Sequence, residues 1–154
     1  MTKVENGITL SKNDLGNNGK GSYVLITRLP EGQSIAVGSL QVLYFPRGDY
    51  AYVGSALGGF KARLSHHLRP EKKPHWHIDY LLQRASIRSI ILCDSLERTE
   101  CTITRAISNH FTAIPGFGAS DCRCHSHLFW TADGMKEEIM TILKALNMNP
   151  RVAK

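Results

Sequence analysis

Two short apolar runs, each with a tyrosine tripeptide, constrain this chain more than any other feature. Gly21-Ser22-Tyr23 opens the first run, and Tyr52-Val53-Gly54 lies within the second. Side chains alternate between the two faces of a strand, and in the first run both faces carry bulky residues. This pattern is typical of a strand that is covered on both sides. The sequence therefore predicts strands over 22–29 and 50–55.

Helical spacing of apolar residues appears after the second strand. Gly58-Gly59 precedes a predicted helix over 60–68, where Arg63 and His67 lie one turn apart beside the apolar stripe. The other predicted elements are a strand over 35–37, a stretch over 41–45 that either extends it or pairs separately, helical spacing over 78–82, a strand over 86–93, and helices over 97–111 and 135–146.

The length of 154 residues and an apolar content of 42% fit one globular domain. We assign that domain to 21–150 and interpret the polar segment 1–20 as a loose arm. No apolar run approaches the roughly 20 residues that span a bilayer, and no signal-like segment stands at the N-terminus. We therefore expect a cytoplasmic protein with no membrane partner, whose cysteines are thiols or metal ligands.

The net charge of +6 favours an anionic partner, most often nucleic acid. Positive charge collects in the middle of the chain, including Lys61, Lys72 and Lys73. A groove that follows a phosphate backbone is the functional interpretation, and a solvated surface is the structural alternative.

The order of these motifs along the chain, two tyrosine tripeptides followed by Arg63 and then Glu100, resembles the pattern of the GIY-YIG nuclease superfamily. The longer stretches YAYVGSALGG, RLSHHLR, HWHIDYLL and FGASDCRCHSHLFW resemble its small stand-alone prokaryotic branch of Uri-type endonucleases. This resemblance covers about 21–130. It implies an α+β fold with a central three-stranded antiparallel sheet flanked by helices, and metal-dependent hydrolysis of phosphodiester bonds in DNA or RNA.

The same resemblance implies a set of site residues. Tyr23 and Tyr52 match the two motif tyrosines, and Gly54 matches the closing glycine that lies beside the substrate. Arg63 matches the arginine that neutralises phosphate charge, and His67 matches a histidine found one turn later in some members. Glu100 is the best match to the carboxylate that holds Mg²⁺, for which Mn²⁺ can substitute.

These groups suit phosphodiester hydrolysis on chemical grounds. Arg63 offers a planar fork that fits phosphate and stays charged. One carboxylate suits Mg²⁺, which keeps several waters and takes other ligands from the substrate. A phenol near a metal and an arginine can relay a proton from water, although its ordinary pKa is near ~10. The sequence leaves open whether Tyr23 or Tyr52 is that base.

Each residue also has a structural interpretation. Tyr23 and Tyr52 fit strands by shape alone, and a histidine such as His67 that borders an apolar face is often only hydrogen-bonded. The neighbouring His66 is expected to face solvent. Glu100 could be a charge at a helix N-terminus, but Ile103, Ile107 and Phe111 follow it on one helical face, which places it inward.

Two further clusters remain open. His75 and His77, with Trp76 and Asp79, either contact the substrate or form a capped helix start. Cys122, Cys124, His125 and His127 invite a zinc interpretation that Cys101 or Asp121 would have to complete. Their spacing is not a common zinc pattern, and strand alternation would separate the cysteines from the histidines. We therefore favour a packed loop without zinc.

The sequence also departs from the family pattern in two places. Serine replaces isoleucine in the first tripeptide, and the stretch 115–121 lacks the asparagine with which many members complete the site. The principal expectation is a Mg²⁺-dependent endonuclease, acting as a monomer or small oligomer. The alternatives are a catalytically weak nucleic-acid-binding module and a zinc-stabilised interaction protein.

Overall fold

The computed structural model of the protein describes residues 19–70, 72–119 and 123–153. The arm expected over 1–20 lies outside the described residues up to position 18. The α+β class predicted from the sequence is confirmed. The described chain combines an antiparallel sheet with helices on both of its faces.

The main sheet has six strands in the order β6-β7-β4-β1-β5-β8, all antiparallel. The strands are β1 Gly21–Leu29, β4 Gly48–Ala56, β5 Ser86–Asp94, β6 Thr112–Ala113, β7 Leu128–Thr131 and β8 Arg151–Val152. A three-stranded sheet was therefore the wrong expectation. The three long strands of the observed sheet are β4, β1 and β5, and the three additional strands β6, β7 and β8 are too short to produce a periodic sequence signal.

The remaining strands form a separate hairpin. β2 Gln33–Ala36 pairs with β3 Val42–Phe45 in a two-stranded antiparallel sheet. A single-turn 3₁₀ helix, Gly38–Leu40, connects them. The segment 41–45 thus pairs separately, which decides between the two sequence-based alternatives.

Within the described ranges, four α-helices flank the main sheet. They are α1 Phe60–Leu68, α2 His77–Leu82, α3 Glu100–Ile107 and α4 Lys136–Ala145. The helix expected over 97–111 is therefore shorter at both ends. At its start, the Ser95 hydroxyl bonds the backbone of Glu97 in a turn, so residues before Thr99 are held outside the helix.

Both faces of the central strands are buried, as the sequence predicts. On one face, Tyr23, Leu25 and Tyr52 pack against α1, α2 and the hairpin. On the other face, Val24 and Val53 pack against α3 and α4. The alternation of side chains along β1 and β4 therefore directs the tyrosines toward α1, and the register pairs Tyr23 with Gly54.

The segment before β7 differs from expectation. A strand begins only at Leu128, and the Ser126 side chain holds a turn by bonding the backbone of Leu128. The two-residue alternation expected from Cys122 onward therefore does not apply to 123–127. None of the helices in the described part of the chain has the length and apolar character needed to cross a bilayer.

Candidate active site

A polar cleft of about 390 Å³ opens at the end of β4. Its walls come from β4, the start of α3, α1, the segment before α2, and the loop before β7. The lining residues are Tyr52, Val53, Gly54, Ser55, Leu57, Gly58, Arg63, His75, Trp76, His77, Arg98, Glu100, Gly118 and His127. Elements far apart in sequence thus meet at one surface depression.

Tyr23 lies directly behind this cleft and is fully buried. Its ring covers Gly54, where a Cβ atom would stand 2.3 Å from the ring carbon Cζ. Its hydroxyl lies 2.6 Å from Nε2 of His67, one turn after Arg63 on α1. Glycine at position 54 is therefore required by the close approach of the Tyr23 ring.

Burial controls the ionisation of this pair. Removal from water raises the pKa of Tyr23 well above its ordinary value, Tyr52 adds to the rise, and Arg63 opposes it. Burial lowers the pKa of His67 to about 3, with Asp79 acting in the opposite direction. Nδ1 of His67 has no hydrogen-bond partner among the described residues, which agrees with a neutral ring.

Tyr52 forms part of the cleft wall itself. Its ring contacts His67 and Phe117 edge-on, at centroid distances of 6.2 and 6.3 Å. Burial raises its pKa, Arg63 opposes that rise, and Glu100 adds to it. Arg63 and Glu100 line the same cleft as Tyr52, and they shift the pKa of both phenols in opposite directions.

Arg63 is held against an aromatic ring. Its guanidinium carbon lies 4.4 Å from the centre of the Trp76 ring, within cation–π range. This contact restricts a side chain that would otherwise sample many rotamers, so the guanidinium presents its donors to the cleft in a limited set of directions.

Asp79 fixes the segment that carries Trp76. Its carboxylate accepts backbone N–H bonds from His75 and Trp76 at 2.8 and 2.9 Å, and contacts His66 Nε2 at 3.1 Å. Burial alone would raise the pKa of Asp79, but these hydrogen bonds outweigh it and the pKa is lowered. Asp79 therefore caps the start of α2, which is the structural alternative given for this cluster. The expectation that His66 faces solvent was wrong, because its ring packs between Trp76 and His67.

Glu100 is the first residue of α3, and its side chain is 17% exposed at the cleft. Arg98 approaches its carboxylate at 3.6 Å. The preceding residue, Thr99, shares a 2.7 Å hydrogen bond with Ser22. Ser22 therefore connects β1 to the start of the helix that carries Glu100.

The remaining predicted site residues lie in different surroundings. His75 and His77 line the cleft. His77 Nδ1 accepts a 2.8 Å bond from the Gly118 backbone, and burial lowers its pKa. Lys72 donates to the carbonyls of His67 and Arg69 at the end of α1. Lys61 and Lys73 are exposed and lie outside the set of described residues that line the cleft.

The sequence named Trp76 as a candidate for substrate contact, but it did not predict three features of the cleft. Trp76 orients Arg63, Arg98 adds a second guanidinium that is 70% exposed, and Gly118 supplies the backbone donor for His77. Arg98 could have been predicted from the sequence, because it lies only two residues before the candidate metal ligand Glu100. The other two contributions depend on contacts across the fold and leave no local signal.

A second group of ligand-type side chains lies next to the cleft. One ligand atom each from Cys101, Cys124 and His127 falls within 4.8 Å of the others. Cys101 follows Glu100 on α3, whereas Cys124 and His127 belong to the loop before β7. His127 also lines the cleft, so the two groups share a wall.

A family model described as "Domain of unknown function DUF123" matches residues 22–148. The chain belongs to the DUF123 family. No curated protein and no solved structure matches the chain.

The DUF123 match covers every residue that lines the cleft, together with Tyr23 and His67 behind it. The cleft is therefore part of the family domain rather than of an added segment.

Proposed function

We propose that this DUF123 protein is a metal-dependent endonuclease of the GIY-YIG type that hydrolyses phosphodiester bonds in DNA. One observation carries the proposal. Tyr52, Arg63 and Glu100 come from three different elements, yet they line a single cleft, and the bonded pair Tyr23–His67 lies directly behind it. These are the groups that the resemblance to GIY-YIG nucleases implies.

Arg63 is the phosphate-binding group. A guanidinium can donate two parallel hydrogen bonds to phosphate oxygens and remains charged at any working pH. Its stacking on Trp76 reduces the entropy lost when it binds. Arg98, at the same cleft, adds charge that attracts a polyanion.

The residues present also fit a magnesium ion. Glu100 offers one partly exposed carboxylate in a water-accessible cleft, and Mg²⁺ typically takes one or two protein carboxylates while keeping several waters. When bound there, the ion supplies Lewis-acid stabilisation of phosphoryl oxygens and a more acidic water. The Ser22–Thr99 bond holds the start of α3, and so holds Glu100 toward the cleft.

The two tyrosines have different positions, and we assign them different roles. Tyr52 forms the wall of the cleft, so its hydroxyl is the one that contacts the attacking water. Tyr23 is buried behind it and bonded to His67. Burial raises the pKa of both phenols, and Arg63 only opposes that rise. Proton acceptance by Tyr52 would therefore need the further stabilisation of the phenolate that a metal ion at Glu100 would supply.

His67 acts as a positioning residue rather than as the base. With its pKa near 3, protonating the ring at pH 7 costs about 5 kcal/mol, since one pKa unit corresponds to ~1.4 kcal/mol. A neutral ring can still fix the Tyr23 hydroxyl through the 2.6 Å bond. Its loss should therefore misplace Tyr23 rather than remove a proton carrier.

A cleavage assay tests the proposal. Supercoiled plasmid and labelled single-stranded DNA and RNA are incubated with protein in Mg²⁺, in Mn²⁺ and in EDTA. We expect metal-dependent cleavage that falls by about 10²–10³-fold in Arg63→Ala and in Glu100→Gln. Arg88→Ala and Glu137→Gln remove the same charges at exposed positions away from the cleft and should retain activity. Unchanged cleavage in both cleft variants would refute the assignment.

The second candidate is a nucleic-acid-binding module without turnover. The stretch 115–121 lacks the asparagine of the family pattern, and both phenols have raised pKa values, which disfavours a tyrosine base. This candidate predicts salt-dependent DNA binding that needs Arg63, with no cleavage by the wild type in any divalent metal.

A further inference from the structure

Cys101, Cys124 and His127 form a compact group of soft metal ligands. It is the one group of three metal-ligand side chains in 19–70, 72–119 and 123–153 whose ligand atoms all lie within 4.8 Å of one another. Tetrahedral zinc, with Zn–S near 2.3 Å and Zn–N near 2.0 Å, places its ligand atoms about 3.3–3.8 Å apart. Side-chain shifts of about 1 Å or less would therefore bring the group to zinc geometry.

The histidine has the tautomer that coordination requires. Nδ1 of His127 lies 3.2 Å from the carbonyl oxygen of Val53, and a carbonyl oxygen only accepts hydrogen bonds. Nδ1 must therefore carry the proton, which leaves the lone pair on Nε2. A ligand histidine whose other nitrogen donates to a backbone carbonyl is the usual arrangement in protein metal sites.

Burial and access also fit a bound ion. His127 is 3% exposed, and both cysteines are half-buried. A separate cavity of about 320 Å³ opens beside Cys101 and Cys124 and provides an access path from solvent. Two thiolates and one imidazole form a donor set that selects zinc over the hard cations Mg²⁺ and Ca²⁺.

We propose that Cys101, Cys124 and His127 bind a zinc ion that is separate from the magnesium position at Glu100. The proposal overrides the sequence-based preference for a packed loop. The spacing C-x-C-H-x-H was misleading because one ligand comes from α3, while the neighbouring His125 is exposed and takes no part.

A zinc ion here would join two parts of the cleft. Cys101 is adjacent to Glu100 on α3, and His127 lines the cleft from the loop before β7. The ion would cross-link the start of α3 to the loop before β7, and it would thereby stabilise the position of Glu100. This role does not depend on the nuclease proposal, because it concerns the stability of the fold around the cleft.

Metal content provides the first test. The full chain is purified with reductant, dialysed against metal-free buffer and analysed by plasma mass spectrometry. We expect about one zinc per chain in the wild type and near zero in Cys101→Ser, Cys124→Ser and His127→Asn. Cys93→Ala and His125→Asn are matched controls that should retain the metal. Cys93 is buried in β5 with its pKa raised to about 11, and His125 lies outside the group.

Cobalt substitution keeps the test independent of whether the variants fold. Wild-type protein with its zinc removed and its thiols reduced is titrated with CoCl₂. One equivalent should produce the thiolate-to-cobalt charge-transfer band and the visible bands of tetrahedral cobalt, and ZnCl₂ should abolish both. Reduced wild-type protein that takes up neither metal overturns the proposal, as does a Cys101–Cys124 disulfide in place of the metal in protein purified without added oxidant. Neither outcome depends on whether DNA is cleaved.

Discussion

Replacing Gly54 with alanine tests the contact that positions Tyr23. The backbone at Gly54 does not require glycine conformation, so the substitution acts through space alone. Its new methyl group would lie 2.3 Å from Cζ and 2.4 Å from the hydroxyl oxygen of Tyr23. Carbon atoms in contact normally lie about 3.5–4.0 Å apart, so the ring must move by more than about 1 Å.

The structure sets the size of the effect. The Tyr23 ring is fully buried between β4 and α1 and has no space into which it can rotate freely. Overpacking of this kind costs about 1–3 kcal/mol. Displacing the hydroxyl from His67 adds about 1 kcal/mol for a weakened hydrogen bond. We therefore expect a loss of about 2–4 kcal/mol, equivalent to a Tm lower by about 5–15 °C for a domain of this size.

Thermal and urea unfolding measure this loss, with Gly58→Ala as the control. A Cβ at Gly58 meets no atom within 4 Å, so that variant should stay within about 0.5 kcal/mol of the wild type. In the double variant Gly54→Ala/Tyr23→Leu, the clashing ring is gone and the two costs should couple by about 1–3 kcal/mol. Equal stability of the Gly54 and Gly58 variants, or strict additivity in the double variant, would show that the Tyr23 ring does not clash with a side chain at position 54.

Two further predictions concern the residues around this contact. Because burial depresses the pKa of His67 to about 3, the unfolded chain binds one more proton than the folded chain between about pH 6.5 and pH 3. The free energy of unfolding should therefore decline as the pH falls through that window. Urea unfolding at several pH values should show a decline in His67→Gln that is shallower than in the wild type by up to ~1.4 kcal/mol per pH unit. The exposed variant His125→Gln serves as the control and should follow the wild type. Ser22→Ala removes the hydrogen bond to Thr99, so calorimetry should show an unfolding free energy lower by about 1 kcal/mol. The kcat for DNA cleavage should also fall while Tyr23 stays in place. An unchanged kcat would mean that Ser22 does not help to position Glu100.

Local patterns in the sequence were sufficient for the centre of the fold. Two-residue alternation located β1 and β4, and the structure shows that Tyr23 and Tyr52 lie on the face of the sheet that α1 covers. Helical periodicity placed Arg63 and His67 on neighbouring turns of α1. These elements were predictable because each buries its own apolar face, so the signal lies within a few adjacent residues.

The remaining features depend on contacts between distant segments. Two-residue edge strands such as β6 and β8 have too few side chains for a period, so the sequence predicted a smaller sheet. His66 resembled a solvent-facing helix residue because its partner, Asp79, belongs to a different helix. Likewise, no sequence spacing could show that Cys101 lies beside Cys124 and His127.

We expect the cleft to bind a divalent metal at Glu100, beside the two tyrosines and Arg63. A crystal structure of the protein soaked in Mn²⁺, with anomalous diffraction recorded at the manganese edge, would reveal that ion. One strong anomalous peak should lie within coordination distance of the Glu100 carboxylate, and it should disappear in Glu100→Gln crystals. Manganese bound only elsewhere, or a Glu100 carboxylate without a metal at saturating concentration, would rule out this metal site.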